Sequence, residues 1–191
     1  MKTKTKLICF LALCGVVNII GSTIALFLHL PIYLDTLGTI LAAAITGPIY
    51  GMIPGLLSGF IGFLTTDPFA LYYIPVQLAV GIMTGLIFSR IYQKKRFLPL
   101  GAAAITLPGT ILSSIITVLL FGGITSSGSS LFVQLFHQFG LNLTFSVVLV
   151  QLFTDYLDRF LALTIVLLVY SSMPKTLFHD LRIRKKSSLS S

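Results

Sequence analysis

The sequence predicts an all-α integral membrane protein, a six-transmembrane-helix bundle with a short hairpin broken by Gly and Pro and an outer lid segment. Three observations carry this. First, 55% of the 191 residues are hydrophobic and only 9% are charged, whereas soluble domains carry about 25% charged residues. Second, mean hydropathy is +0.99, and the apolar residues fall in long runs rather than in alternation. Third, the basic residues cluster at the ends of those runs: Lys2/Lys4/Lys6, then Arg90/Lys94/Lys95/Arg96, then Lys175 with Arg182/Arg184/Lys185/Lys186. Basic clusters next to spans mark the cytoplasmic side of a membrane. The net charge of +8 therefore reads as membrane topology, with contact to anionic lipid at the tail, and not as nucleic-acid binding.

The elements follow in order. Residues 7–28 form a first span, too long for a signal-peptide core and without a clean cleavage site. A loop at 29–34 leads to an apolar stretch at 36–46, which Gly47-Pro48 breaks. Apolar residues resume at 49–64 with many glycines, and Thr65-Thr66-Asp67-Pro68 reads as a turn. Residues 74–92 and 97–121 are further spans, joined by the basic loop. A Gly/Ser-rich loop occupies 122–130. Residues 131–153 are apolar but interrupted by Gln134, His137, Gln138, Asn142 and Gln151, and a charged knot at 155–159 opens the last run, 160–173.

Keeping every basic cluster on one side fixes the number of crossings. The 36–64 region must cross twice, as a hairpin turning at Gly47-Pro48. The 131–153 segment must not cross, which makes it a lid on the outer side. Residues 1–175 then form one domain with six crossings, and 176–191 form a basic cytoplasmic tail. The chain is placed in a bacterial cell membrane, multi-pass, with both termini cytoplasmic. Asp35, Asp67, Asp155, Asp158 and Arg159 gather toward the outer side. Ionisable groups near lipid are costly and mark functional sites.

Candidate ligand contacts are Asp35, Thr36, Tyr33, Asn18, Gln77, Tyr73, Asn142, Asp158 and Arg159. Asp35 and Thr36 precede an apolar helix, and so serve either as an N-cap or as ligand contacts. Tyr33 and Tyr73 suit an interfacial aromatic belt or stacking on a planar ring. Asn18 and Gln77 suit either interhelical bonds or ligand contact. Asp155 and Arg159, four apart, share a helix face and pair there, or else Asp158 and Arg159 turn into a pocket. The acids outnumber the outer base, which favours a neutral or cationic ligand, while Arg159 leaves a carboxylate open. No Gly-x-x-x-x-Gly-Lys-Ser/Thr loop, metal-ligand spacing or nucleophile–base motif is present. No cofactor and no enzymatic activity are expected.

Leu34-Asp35-Thr36-Leu37-Gly38-Thr39, followed by Gly47-Pro48-Ile49-Tyr50-Gly51 and Gly55, resembles the substrate-binding S components of energy-coupling factor transporters, ABC-type uptake systems. The resemblance extends over about residues 5–175. It implies a subunit that captures a small water-soluble vitamin or precursor at the outer face, such as pantothenate or a thiamin pyrimidine. It implies delivery to a transmembrane coupling subunit and two ATPase subunits. Small residues of the first span (Ala12, Gly15, Ser22 and Ala25) are candidates for docking that subunit. The rival readings are a small stand-alone secondary transporter or channel, and a membrane sensor or scaffold.

Overall fold

A computed structural model describes residues 2–174; the basic tail expected at 176–191 lies outside the described residues. Its helices are α1 (Lys2–Phe27), α2 (Leu37–Thr46), α3 (Pro48–Gly51), α4 (Ile53–Thr65), α5 (Ile74–Gln93), α6 (Leu98–Phe121), α7 (Ser129–Gln138) and α8 (Leu143–Ser172), with a 3₁₀ turn at Lys95–Phe97. No strand occurs among the described residues. Leu13, Ile20, Phe60, Leu119 and Phe153 are typical of the large apolar side chains that face outward, as lipid requires.

Four stretches are long and apolar enough to cross a membrane: Lys4–Phe27, Pro48–Thr65, Ile74–Gln93 and Lys95–Phe121. The expected all-helical membrane bundle is seen, but four stretches of the described residues, not six, have that length and composition. At 30 residues α8 is the longest helix, but it carries Asp155, Asp158 and Arg159. At 10 residues α2 reaches only about 15 Å at 1.5 Å per residue, half of a hydrocarbon core.

The Gly47 turn joins α2 to α3. Gly47 has φ +89° and ψ −178°, a region essentially closed to residues with a Cβ. Pro48 follows at the first helical position, where its missing N–H costs nothing. The buried face of α2 (Ile40, Ala42, Ala43, Ile45) is wedged among α1, α5 and α8. The main core joins Ile40, Val80, Phe88, Ile105, Leu163 and Val166.

Two further expectations change. The charged knot does not open the last helix. The helix begins at Leu143, where the Asn142 side chain caps it by accepting from the Thr144 N–H at 2.9 Å, so Asp155 to Arg159 lie in its middle. The lid shrinks accordingly to residues 122–142, built around α7. The second change concerns the chain around Asp35, which runs inside the bundle and not over its surface. Gly38 packs so closely on α1 that a Cβ there would stand 1.9 Å from the Cys14 carbonyl oxygen. That level is 13 residues short of the end of α1, or roughly 20 Å along the helix, while Leu34, beside Asp35, packs on Gly21, six residues short of that end, or roughly 9 Å. The non-helical chain after α1 therefore folds back into the bundle before α2 starts.

Candidate functional site

The folded-back segment needs partners for its backbone, and α1 and α8 supply them. Asn18, fully buried in α1, accepts through Oδ1 from the Gly38 N–H at 2.7 Å and the Thr39 N–H at 3.3 Å. Both belong to the first turn of α2, whose N–H groups have no partner within the helix. Asn18 thus caps α2 from a neighbouring helix. Thr36, at the N-cap position, makes no side-chain cap bond. The cap reading of Asp35 and Thr36 is corrected on this ground: α1 fills that role.

The orientation of Asn18 propagates. With Oδ1 held by two N–H groups, Nδ2 must donate, and it does so to Thr39 Oγ1 at 2.8 Å and Ser58 Oγ at 3.3 Å. Thr39 then donates to Gln77 Oε1 at 3.2 Å. This turns the Gln77 amide so that Nε2 donates to Asp35 Oδ2 at 2.6 Å and to the Asp35 carbonyl at 3.1 Å. The backbone of α2 therefore fixes the direction of the whole relay, and Asp35 Oδ2 is held at its end as an acceptor.

Opposite lies α8. Asp158, fully buried, accepts from the Leu34 N–H at 2.8 Å and pairs with Arg159. Leu34 has φ +52°, a conformation that costs a non-glycine residue energy. Arg159 Nη1 also donates to Thr36 Oγ1 at 3.0 Å and lies 3.8 Å from Asp35 Oδ1. That Asp35 oxygen is buried and has no hydrogen-bond partner. The Asp155–Arg159 pair expected from their spacing does not form among the ion pairs of the described residues. Asp155 instead accepts from Thr110 at 2.8 Å and Ser113 at 3.4 Å. Thr117 and Gln151 extend this seam to the Tyr73 hydroxyl, 2.7 Å from Thr117 Oγ1. Burial pushes the Tyr73 phenol, in the loop before α5, up to about 12, the Thr117 bond opposing, so it stays a neutral hydroxyl.

Between these walls lies a cavity of about 90 Å³. One water needs roughly 10–15 Å³ on that scale, so it holds several waters or a small organic molecule. Of the nine candidates, Tyr33, Asp35, Tyr73, Gln77 and Arg159 line it. Asn18, Thr36 and Asp158 stand behind the wall and hold it in place. Asn142 is exposed and caps α8, away from the cavity. The lid borders the cavity and is held by Ser126, which donates to Asp67 Oδ1 at 2.9 Å, and by the Tyr33–Ser129 hydroxyl contact at 3.2 Å.

Asp155, Ser113, Ser127 and Ser22 also line the cavity and were not singled out as contacts from the sequence. A signal existed for the α6 wall: Thr110, Ser113, Ser114 and Thr117 recur at helical spacing inside an apolar run, a polar stripe that must face protein rather than lipid. Of the small residues on α1, Ser22 and Ala25 line the cavity, Gly15 packs on Pro54 and Leu57, and Ala12 faces outward.

The family model "ECF transporter, substrate-specific component" matches residues 6–170. The sensor protein LytS of Enterococcus faecalis is 31% identical over 85 residues. That match covers 44% of this chain and 14% of LytS, so the chain spans about a seventh of that relative. No solved structure matches the chain.

Proposed function

Because the chain belongs to the substrate-specific components of ECF transporters, we propose that it captures a small water-soluble vitamin or precursor at the outer face of a bacterial cell membrane. It then delivers this cargo to a coupling subunit energised by two ATPases. In this family the chain binds substrate and the ATPase activity resides in partner subunits.

The observation that carries the reading is the position of the cavity. It lies among the C-terminal parts of α1 and α4, the start of α5, and the lid. Lys4, Lys6, Arg90, Lys94, Lys95 and Arg96 lie at the opposite ends of α1 and α5 and in the loop beyond. With basic residues inside, the cavity opens outward and both termini are cytoplasmic. The six crossings are then α1, the folded-back segment with α2, α3–α4, α5, α6 and α8. Non-helical backbone at membrane depth is tolerated because protein buries it and Asp158 satisfies it. Tyr33, Asp35, Tyr73, Gln77 and Arg159 are the proposed ligand contacts, and Asn18, Thr36 and Asp158 position them.

The test is to purify the chain from membranes and identify the retained small molecule by mass spectrometry, alongside any co-purifying subunits. A one-to-one micronutrient and an ATPase-containing complex are expected. Concentrative uptake by the chain alone in sealed vesicles would overturn the proposal in favour of a secondary transporter. The likeness to LytS covers too little of either chain to favour a sensor.

A further inference from the structure

We infer that the ligand of this cavity presents positively charged nitrogen, and that Asp35 receives its N–H groups. The inference deepens the proposed function and rests on the cavity being a substrate site.

Three observations converge. The first is the direction of the relay. Gln77 can only donate to Asp35, because its amide is oriented by Thr39, which is oriented by Asn18, which is held by backbone N–H groups of α2. Asp35 Oδ2 is thereby kept as an acceptor. The second is the oxygen left over. Asp35 Oδ1 is buried and lacks a hydrogen-bond partner, and the nearest cation, Arg159 Nη1, is 3.8 Å away, outside hydrogen-bond range. An unsatisfied buried oxygen is costly, and a donor presented from the cavity, such as a ligand N–H, relieves it.

The third is charge balance. Arg159 is engaged by Asp158 and Thr36. Its guanidinium also pairs with Asp35 at 3.8 Å, so one cation is shared among the acids of this site, while Asp155 and Asp67 also line the cavity. The hydroxyls of Thr110 and Ser113 solvate Asp155 but do not neutralise it. An anionic ligand would meet one engaged guanidinium amid several carboxylates, whereas a cationic one supplies the missing charge at low dielectric, where pairing is strong. A flat ring bearing an amidine-like or protonated amino group suits both the two acids and the flanking Tyr33 and Tyr73.

The test uses the full chain in lipid nanodiscs, titrated calorimetrically with benzamidine and benzoate, probes of similar shape and opposite charge. Benzamidine is expected to bind at least tenfold more tightly, and Asp35→Asn to lower that preference by tenfold or more. Equal affinity, a preference for benzoate, or binding of neither probe overturns the assignment, as does a preference that Asp35→Asn leaves unchanged. The wild-type comparison decides the matter even if Asp35→Asn fails to accumulate. None of these outcomes touches co-purification with ATPase subunits, so failure of the charge assignment is separable from failure of the proposed function.

Discussion

Asn18 performs two tasks with one side chain: it closes the N-terminus of α2 and sets the donor direction of the relay ending at Asp35. Asn18→Leu removes both. The orphaned Gly38 and Thr39 N–H groups cost about 1–3 kcal/mol each, and the fall in thermal stability in detergent measures the loss. Gln77→Glu is subtler. It is nearly isosteric but places a second carboxyl against Asp35 Oδ2, so a proton must be shared between the two. Ligand affinity is expected to fall at least tenfold with little change in melting temperature. At the Asp158–Arg159 pair, Arg159→Met strands a buried carboxylate, a loss of about 3–5 kcal/mol. Adding Asp158→Asn should recover much of it, and a double-mutant cycle on unfolding checks this. The sequence pointed to these polar residues because charges and amides stand out in apolar runs. It did not reveal who bonds to whom. Asn18 and Gly38 are 20 positions apart, and only the folding-back of the chain brings them together.

At the scale of elements, the hairpin was legible because Gly47-Pro48 is local punctuation, and a backbone at φ +89° leaves few other sequences. The start of α8 was not. A charged knot inside an apolar stretch looks like a helix boundary when only solvation is weighed. In the fold, Asp155 and Asp158 find hydroxyl, N–H and guanidinium partners, so the helix continues through them. The wedge of α2 yields a contrast between two glycines. Gly38→Ala drives a Cβ to 1.9 Å from the Cys14 carbonyl, and the neighbour is backbone that cannot swing aside. We expect this variant to lose ligand binding outright. Gly47→Ala meets nothing within 4 Å and carries only the conformational penalty of about 1–3 kcal/mol. It should bind ligand normally with a lowered melting temperature.

For the whole molecule, hydropathy and the placement of basic residues were enough to assign an all-helical membrane protein, and the motif around Gly47 pointed to its family. What they missed is the depth of the site. Hydropathy measures exposure to lipid, and most of α2 is sheltered by protein. The lid latch tests the link between the cavity and its cover. Asp67→Asn weakens acceptance from Ser126, whose bond is worth about 1 kcal/mol. This predicts roughly fivefold faster release of the ligand retained on purification, with the association rate little changed. Filter-binding kinetics with that radiolabelled molecule would report it.

The relay from Asn18 to Asp35 also governs proton traffic. Its last link is a carboxamide, which donates a hydrogen bond but does not pass a proton on. Asp35 can therefore exchange protons only through the cavity. A ligand that fills that space beneath the lid covers the carboxyl and slows its exchange with bulk water. A loaded protein shifted abruptly to a new pH should therefore change the charge state it had when the ligand entered more slowly than an empty one.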